Sequence, residues 1–369
     1  MNSRLVSNGD RIVFLDYLRV VACFMVILVH SIEPFYLGGD GTYIASHNDA
    51  MIVTLLDSLL RSAVPLFVMT SSYLLVPIKT DTATFYRRRA QRVVIPFVVW
   101  SLLYAIVPLW GMEANIADNL KTLSLNFLPI SGHLWFVYML LGVYLIMPII
   151  SPWLERVSAR GERYFLALWL LATALPFLRL MAATMRGTEE VWGEASWNEF
   201  GALYYVSGFI GYFVAAHYIR QYIDWGVRRT LLVALPMLAV GYLITALPFY
   251  QQIPATFPVN DTIELAVSME RSWCFATTGV ALQTIALFLL FKLITKPCRI
   301  YRLFRRVSEL SYGIYLMHIF VLVAAFNIIS EWQFPTLATI LITAASTFIV
   351  CILTTLLISL LPKSKYLIG

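Results

Sequence analysis

The sequence predicts an all-α integral membrane bundle of about ten transmembrane helices, with both termini on the cytoplasmic side. Three observations predict it. Of 369 residues, 60% are apolar and 13% charged, with mean hydropathy +0.76, whereas an ordinary soluble domain carries about 25% charged residues. Apolar stretches of about 20 residues recur along the chain, each long enough at 1.5 Å per residue to cross the hydrocarbon core. Most of the 27 lysines and arginines fall in alternate loops, as the positive-inside rule requires. The basic pI near 9.1 therefore reflects membrane insertion and gives no reason to expect nucleic acid.

Taken in order, the spans are read over 12–33, 51–78, 93–111, 132–151, 164–183, 201–222, 230–250, 271–294, 308–329 and 336–361. The first is longer than the apolar core of a signal peptide, lacks a small-residue cleavage pattern and opens a series of further spans, so it stays in the protein. Arg87, Arg88, Arg89 and Arg92 follow the second span, and Arg156, Arg160 and Arg163 follow the fourth. Arg220, Arg228 and Arg229 follow the sixth, and Lys296, Arg299, Arg302, Arg305 and Arg306 the eighth. Trp110, Trp153, Trp225 and Trp332 stand near span ends, where indoles favour the interface. Residues 1–369 read as one membrane domain with no appended soluble domain. Cys23, Cys274, Cys298 and Cys351 show no CxxC spacing, which gives metal or redox chemistry no support.

A charge at mid-bilayer costs on the order of 3 kcal/mol, so ionisable residues inside spans mark function or pairing. The first helix carries Asp16 and Arg19 three residues apart, placed to neutralise each other. His30 follows Arg19 by eleven residues, three turns plus about 20°, which puts both on one stripe roughly 16 Å apart. Glu33 lies within reach of His30 if the helix persists, although Pro34 disfavours that geometry. Arg61 follows Asp57 in ion-pair order. Tyr312, Tyr315 and His318 form a polar face deep in the ninth span, His133 opens the fourth, and His47 and His217 read as ordinary structural histidines.

LDYLRVVACFMVILVH resembles the first-helix signature of the membrane-integral acyltransferase-3 family, bacterial O-acyltransferases of surface glycans, with Arg19 and His30 at the family spacing. RSAVPLFVMTSSYLL (with Ser72 where the family often has glycine), FYRRRAQRVVIPF, HLWFVYMLLGVYLIMPII and SYGIYLMH are similar to later family segments, in family order. The resemblance implies an O-acyltransferase, most simply an O-acetyltransferase, of the bacterial inner membrane. It implies acyl-coenzyme A, in particular acetyl-CoA, as donor and a lipid-linked or nascent polysaccharide as acceptor, with no metal. Such chemistry needs a base for the hydroxyl and a stabiliser for the oxyanion. The catalytic candidates are His30 as base, Arg19, Glu33 orienting His30, and His318 as a donor near the thioester or a wall of the acceptor channel. Arg88, Arg89 and Arg92, with Arg61, are the candidate donor-binding cations, because guanidinium groups clamp phosphate oxygens. His133, Trp135 and Tyr315 are expected on the acceptor side. Glu189, Glu190, Glu194 and Glu199 with Trp192 and Trp197 form a loop that suits a sugar. The rival readings are a proton-coupled transporter, a haem or metal protein using His30, His133 and His318, and a non-catalytic glycan-binding protein.

Overall fold

A computed structural model describes residues 11–38, 41–113, 115–187 and 208–369. Helix α1 (Val13–Ile32) is apolar along its length and free of glycine and proline, and a 3-10 turn over Glu33–Phe35 carries the chain out of it. Two short strands follow, β1 (Leu37–Gly38) and β2 (Gly41–Ile44). The second span is broken into α2 (His47–Leu60), capped by Ser46, and α3 (Ala63–Leu75). Pro65 explains the break, since it has no N–H for the carbonyl of Arg61 four residues earlier and its ring crowds that carbonyl. The third span repeats the device. Helix α4 (Thr82–Arg89) passes through a five-residue π turn, Ala90–Val94, into α5 (Ile95–Ile106). Pro96 denies a partner to the carbonyl of Arg92, and the Ile95 N–H bonds instead to Ala90 O.

After the short α6 (Ile116–Leu123) come α7 (Trp135–Arg156), α8 (Ala159–Arg186), α9 (Ile210–Tyr222) and α10 (Val227–Gln251). Strand β3 (Val259–Thr262) then pairs antiparallel with β2, with Gly41 opposite Thr262. Only glycine fits there, because a Cβ at position 41 would stand 2.3 Å from the carbonyl oxygen of Asp261. Helices α11 (Ile263–Glu270), α12 (Thr278–Lys292), α13 (Tyr301–Ser330), α14 (Thr336–Ser359) and the turn α15 (Lys365–Ile368) complete the chain.

Among the described residues, seven helical segments are long and apolar enough to cross a membrane, or eight if the pair Ile263–Trp273 and Thr278–Lys292, bent by 48°, is one span. All eight coincide with expected spans. The expected span at 164–183 falls within α8, and the one at 201–222 falls on α9 with its beginning outside the described residues. The three-stranded sheet departs from a purely helical architecture, and strands of two to four residues are too short to show a period-2 pattern.

Helix α1 is the hub, packed against α2, α3, α12, α13 and α14. Its span is 61% buried inside the protein, against 28% for α10 on the flank. On that flank α10 and α12 approach backbone to backbone, since a Cβ on Gly279 would lie 2.3 Å from Thr245 Oγ1. Small residues permit such contact, and Gln283 uses it by donating its amide to Thr245 Oγ1 at 2.9 Å and to Ser58 O at 3.2 Å.

Candidate active site

A cavity of about 640 Å³ enters the bundle at the arginine-rich end. It begins among Arg11, Arg92 and Lys365, passes Asp16 and Arg19 on α1, and ends against Val26, Phe136 and Tyr315. Asp16 does not pair with Arg19. Its Oδ1 accepts from Arg11 at 2.8 Å and Ser308 at 2.8 Å, and its Oδ2 from Arg11 at 2.7 Å and Tyr301 at 2.6 Å. Those four bonds fill the lone-pair sites of the carboxylate, so Arg19 finds no acceptor there. Arg11 is further held by Glu309 at 2.7 Å. Arg19, by contrast, makes no hydrogen bond or ion pair with any described residue although it lines the same cavity as Asp16, and Arg92 and Lys365 line it likewise without an ion pair. Arg89 lies over the rings of Phe85 and Tyr144, 5.7 and 5.6 Å from their centroids, with its Nε buried and unpartnered, and Tyr144 is part of the cavity wall.

Beyond Tyr315 three histidine rings converge from three distant elements. The His318 centroid lies 5.1 Å from that of His30 and 4.9 Å from that of His133, and His30 and His133 are 6.2 Å apart. His133 is set by a 3-10 turn, Pro129–Leu134, that leads into α7. Its backbone carbonyl accepts the hydroxyl of Tyr315, so the residue that closes the cavity also fixes the histidine behind it. Glu33 keeps helical dihedrals as the C-cap of α1, and His30 Nδ1 meets Glu33 Oε1 at 2.9 Å. A carboxylate accepts only, so Nδ1 carries the hydrogen and Nε2 keeps its lone pair. His318 Nδ1 donates in the same way to the carbonyl of Tyr315, which leaves its Nε2 buried without a partner. Both ring nitrogens of His133 are likewise buried and unpartnered. His318 can therefore not be the neutral donor near the thioester that its position suggested; its free nitrogen accepts.

A second polar network occupies the sheet end of the molecule. Arg61 donates to Asp57 Oδ2 at 2.6 Å and to the Tyr36 hydroxyl at 3.2 Å, and its guanidinium lies 4.4 Å from the Trp273 ring centroid. Tyr36 donates in turn to Glu270. Arg61 is thus spent at the end opposite Arg89 and Arg92 and takes no part in the cavity, a correction to its grouping with the donor-binding cations. The cause is local, since Asp57 sits one turn before it and the break at Pro65 halts the helix there. Arg88 is exposed on α4 away from the cavity lining. Trp135 also departs from expectation, because its ring stacks on Phe275 with centroids 5.1 Å apart and is absent from the cavity wall. His217, read as ordinary, is buried and bonded to Glu162 at 3.0 Å. The acidic and tryptophan-bearing loop from Glu189 to Glu199 lies outside the described residues.

Lys365 and Arg11 are cavity residues that the sequence does not single out. Nothing in their local sequence marks them, and only the folding of α15 and of the segment before α1 brings them to the mouth. Among the described residues no group of three or more His, Cys, Asp or Glu side chains is arranged to hold a metal ion.

The arrangement is a cationic entrance and an apolar end, with a cluster of titratable rings packed behind Tyr315, which suits a phosphate-bearing donor and proton transfer to or from a hydroxyl. No curated protein and no solved structure matches the chain. A family model described as an acyltransferase domain matches residues 12–358, nearly its whole length. With its apolar spans and this match, the chain belongs to the acyltransferase-3 family of multi-pass membrane acyltransferases.

Proposed function

We propose that the protein is an O-acyltransferase, most simply an O-acetyltransferase, of the bacterial inner membrane. It takes the acyl group of cytoplasmic acyl-coenzyme A and places it on a hydroxyl of a lipid-linked or nascent surface polysaccharide. The observation that carries the reading is a cavity lined by unpaired cations whose end wall, Tyr315, packs against histidines with unpartnered nitrogens. Its fit to the donor is chemical. Arg92 and Lys365 at the mouth hold phosphate oxygens, Arg19 stands deeper with a free guanidinium, and Phe136, Val26 and Tyr315 offer an apolar end for an acyl group.

The chain's own residues then divide the work. Glu33 holds the His30 tautomer with Nδ1 protonated, and His30 Nε2 takes the hydroxyl proton as the acceptor attacks. Charge on Arg19 persists inside the bilayer because the residue faces a polar cavity, where the cost of burial in lipid does not apply in full. With the amino-terminal end cytoplasmic, the donor enters from the arginine-rich face and the acceptor meets the acyl group beyond the histidines.

Two measurements test this together. Membrane vesicles from cells expressing the chain should release coenzyme A thiol from acetyl-coenzyme A. Surface glycans of cells with the gene should carry ester-linked acyl groups that a deletion strain lacks. Identical glycans from the two strains would overturn the reading.

A further inference from the structure

The histidine cluster's hydrogen bonds are lopsided. His30 and His318 each commit their one hydrogen, to Glu33 and to the carbonyl of Tyr315 respectively. Each is left with an accepting Nε2. The hydroxyls beside the rings are committed as well, Tyr315 donating to His133 O and Tyr104 to Leu316 O. A neutral imidazole always has one N–H. His133 is 6% exposed, and neither of its nitrogens has a partner. The nearest acceptor to its ring, the Leu316 carbonyl, already takes the Tyr104 hydroxyl, so among the described residues the His133 N–H is the side-chain donor of the cluster without a well-formed hydrogen bond.

A thioester carbonyl that becomes tetrahedral develops negative charge on oxygen and needs such a donor already in place. We propose that His133 is the oxyanion donor of this enzyme. This rests on the acyltransferase reading above. The acceptor oxygen forms a bond to the thioester carbonyl carbon while its proton passes to His30 Nε2. The carbonyl electron pair moves onto oxygen, and that oxyanion accepts a hydrogen bond from the His133 N–H. When the carbonyl re-forms, the carbon–sulfur bond breaks, and the thiolate takes the proton back from His30. Glu33 keeps the His30 ring in place through both transfers, and the Tyr315 hydroxyl holds the backbone of the donor. His318, with its hydrogen committed, serves as an accepting wall.

The test compares His133→Leu, which removes the donor, with His133→Gln, which restores an N–H of similar reach. Thiol release from acetyl-coenzyme A is measured in membrane vesicles, and coenzyme A binding by calorimetry on the purified full chain. His133→Leu should lower kcat by about 100- to 1,000-fold, with KM for acetyl-coenzyme A and Kd for coenzyme A within about twofold of wild type. His133→Gln should recover kcat to within about tenfold of wild type. Activity of His133→Leu within about threefold of wild type would overturn the proposal. So would a failure of His133→Gln to recover activity while it binds coenzyme A normally, since the ring would then do more than donate. Vesicles of the wild-type chain that release no thiol would instead defeat the acyltransferase reading, and this proposal with it.

Discussion

Arg19 is the residue whose surroundings say most about its use. Every neighbouring carboxylate oxygen is taken, so its guanidinium is kept for something that enters the cavity. Arg19→Ala should weaken coenzyme A binding in calorimetry by at least about tenfold, the loss of one charge-assisted interaction. Arg19→Lys keeps the charge without the planar fork and should recover only part of it. Glu33→Gln acts on the other step. By analogy with a triad carboxylate it should lower kcat about 100-fold or more, with donor affinity unchanged, because the His30 tautomer is no longer fixed. At this scale the sequence was informative where partners are close along the chain. The His30–Glu33 and Arg61–Asp57 pairs follow from i,i+3 and i,i+4 spacing and are present at 2.9 and 2.6 Å. It misled where a distant element outcompeted the near one. Tyr301 and Ser308, from the far end of the chain, help Arg11 saturate Asp16 and displace the expected Arg19.

The elements themselves were largely legible, because a lipid solvent demands long apolar runs and writes them into the sequence. Their interruptions were less so. Pro65 and Pro96 are visible as residues, but that one yields a two-residue break and the other a π turn depends on packing. The π turn gives Arg92 its place at the cavity mouth. Pro96→Ala lets the ladder close with one residue fewer in that turn and rotates Arg92 away, so coenzyme A binding should weaken while the chain still inserts. Calorimetry and membrane fractionation check both halves. The α10–α12 contact makes a different demand. Gly279→Val drives a branched side chain into Thr245 and the backbone of Gly241, and should cost about 1–3 kcal/mol. A lowered melting temperature in detergent would register it. The convergence of His30, His133 and His318 has no local signature at all, since two lie on separate helices and the third in the turn before α7, and only tertiary packing brings the rings within contact.

For the whole molecule, the proposed course of the reaction assigns opposite faces to two positions. In a background with Cys23, Cys274, Cys298 and Cys351 replaced, a cysteine at position 89 should react with a membrane-impermeant maleimide only from the cytoplasm. One at position 30 should react from the periplasmic side, and the reverse pattern would invert the topology. Cys274 and Cys298 are exposed and must be removed first, whereas Cys23 and Cys351 are buried. The wiring of α1 also bears on how the protein is made. This helix is made well before α13, yet Ser308, one of the donors to its Asp16, follows by 292 residues. At ordinary rates of synthesis that is a delay of roughly 15–60 s. Throughout that interval Asp16 has Arg11 but lacks its two later donors, Tyr301 and Ser308, which are still to be made. Until those donors arrive the helix is incompletely satisfied, so a ribosome stalled near residue 290 should leave it crosslinkable to the translocon.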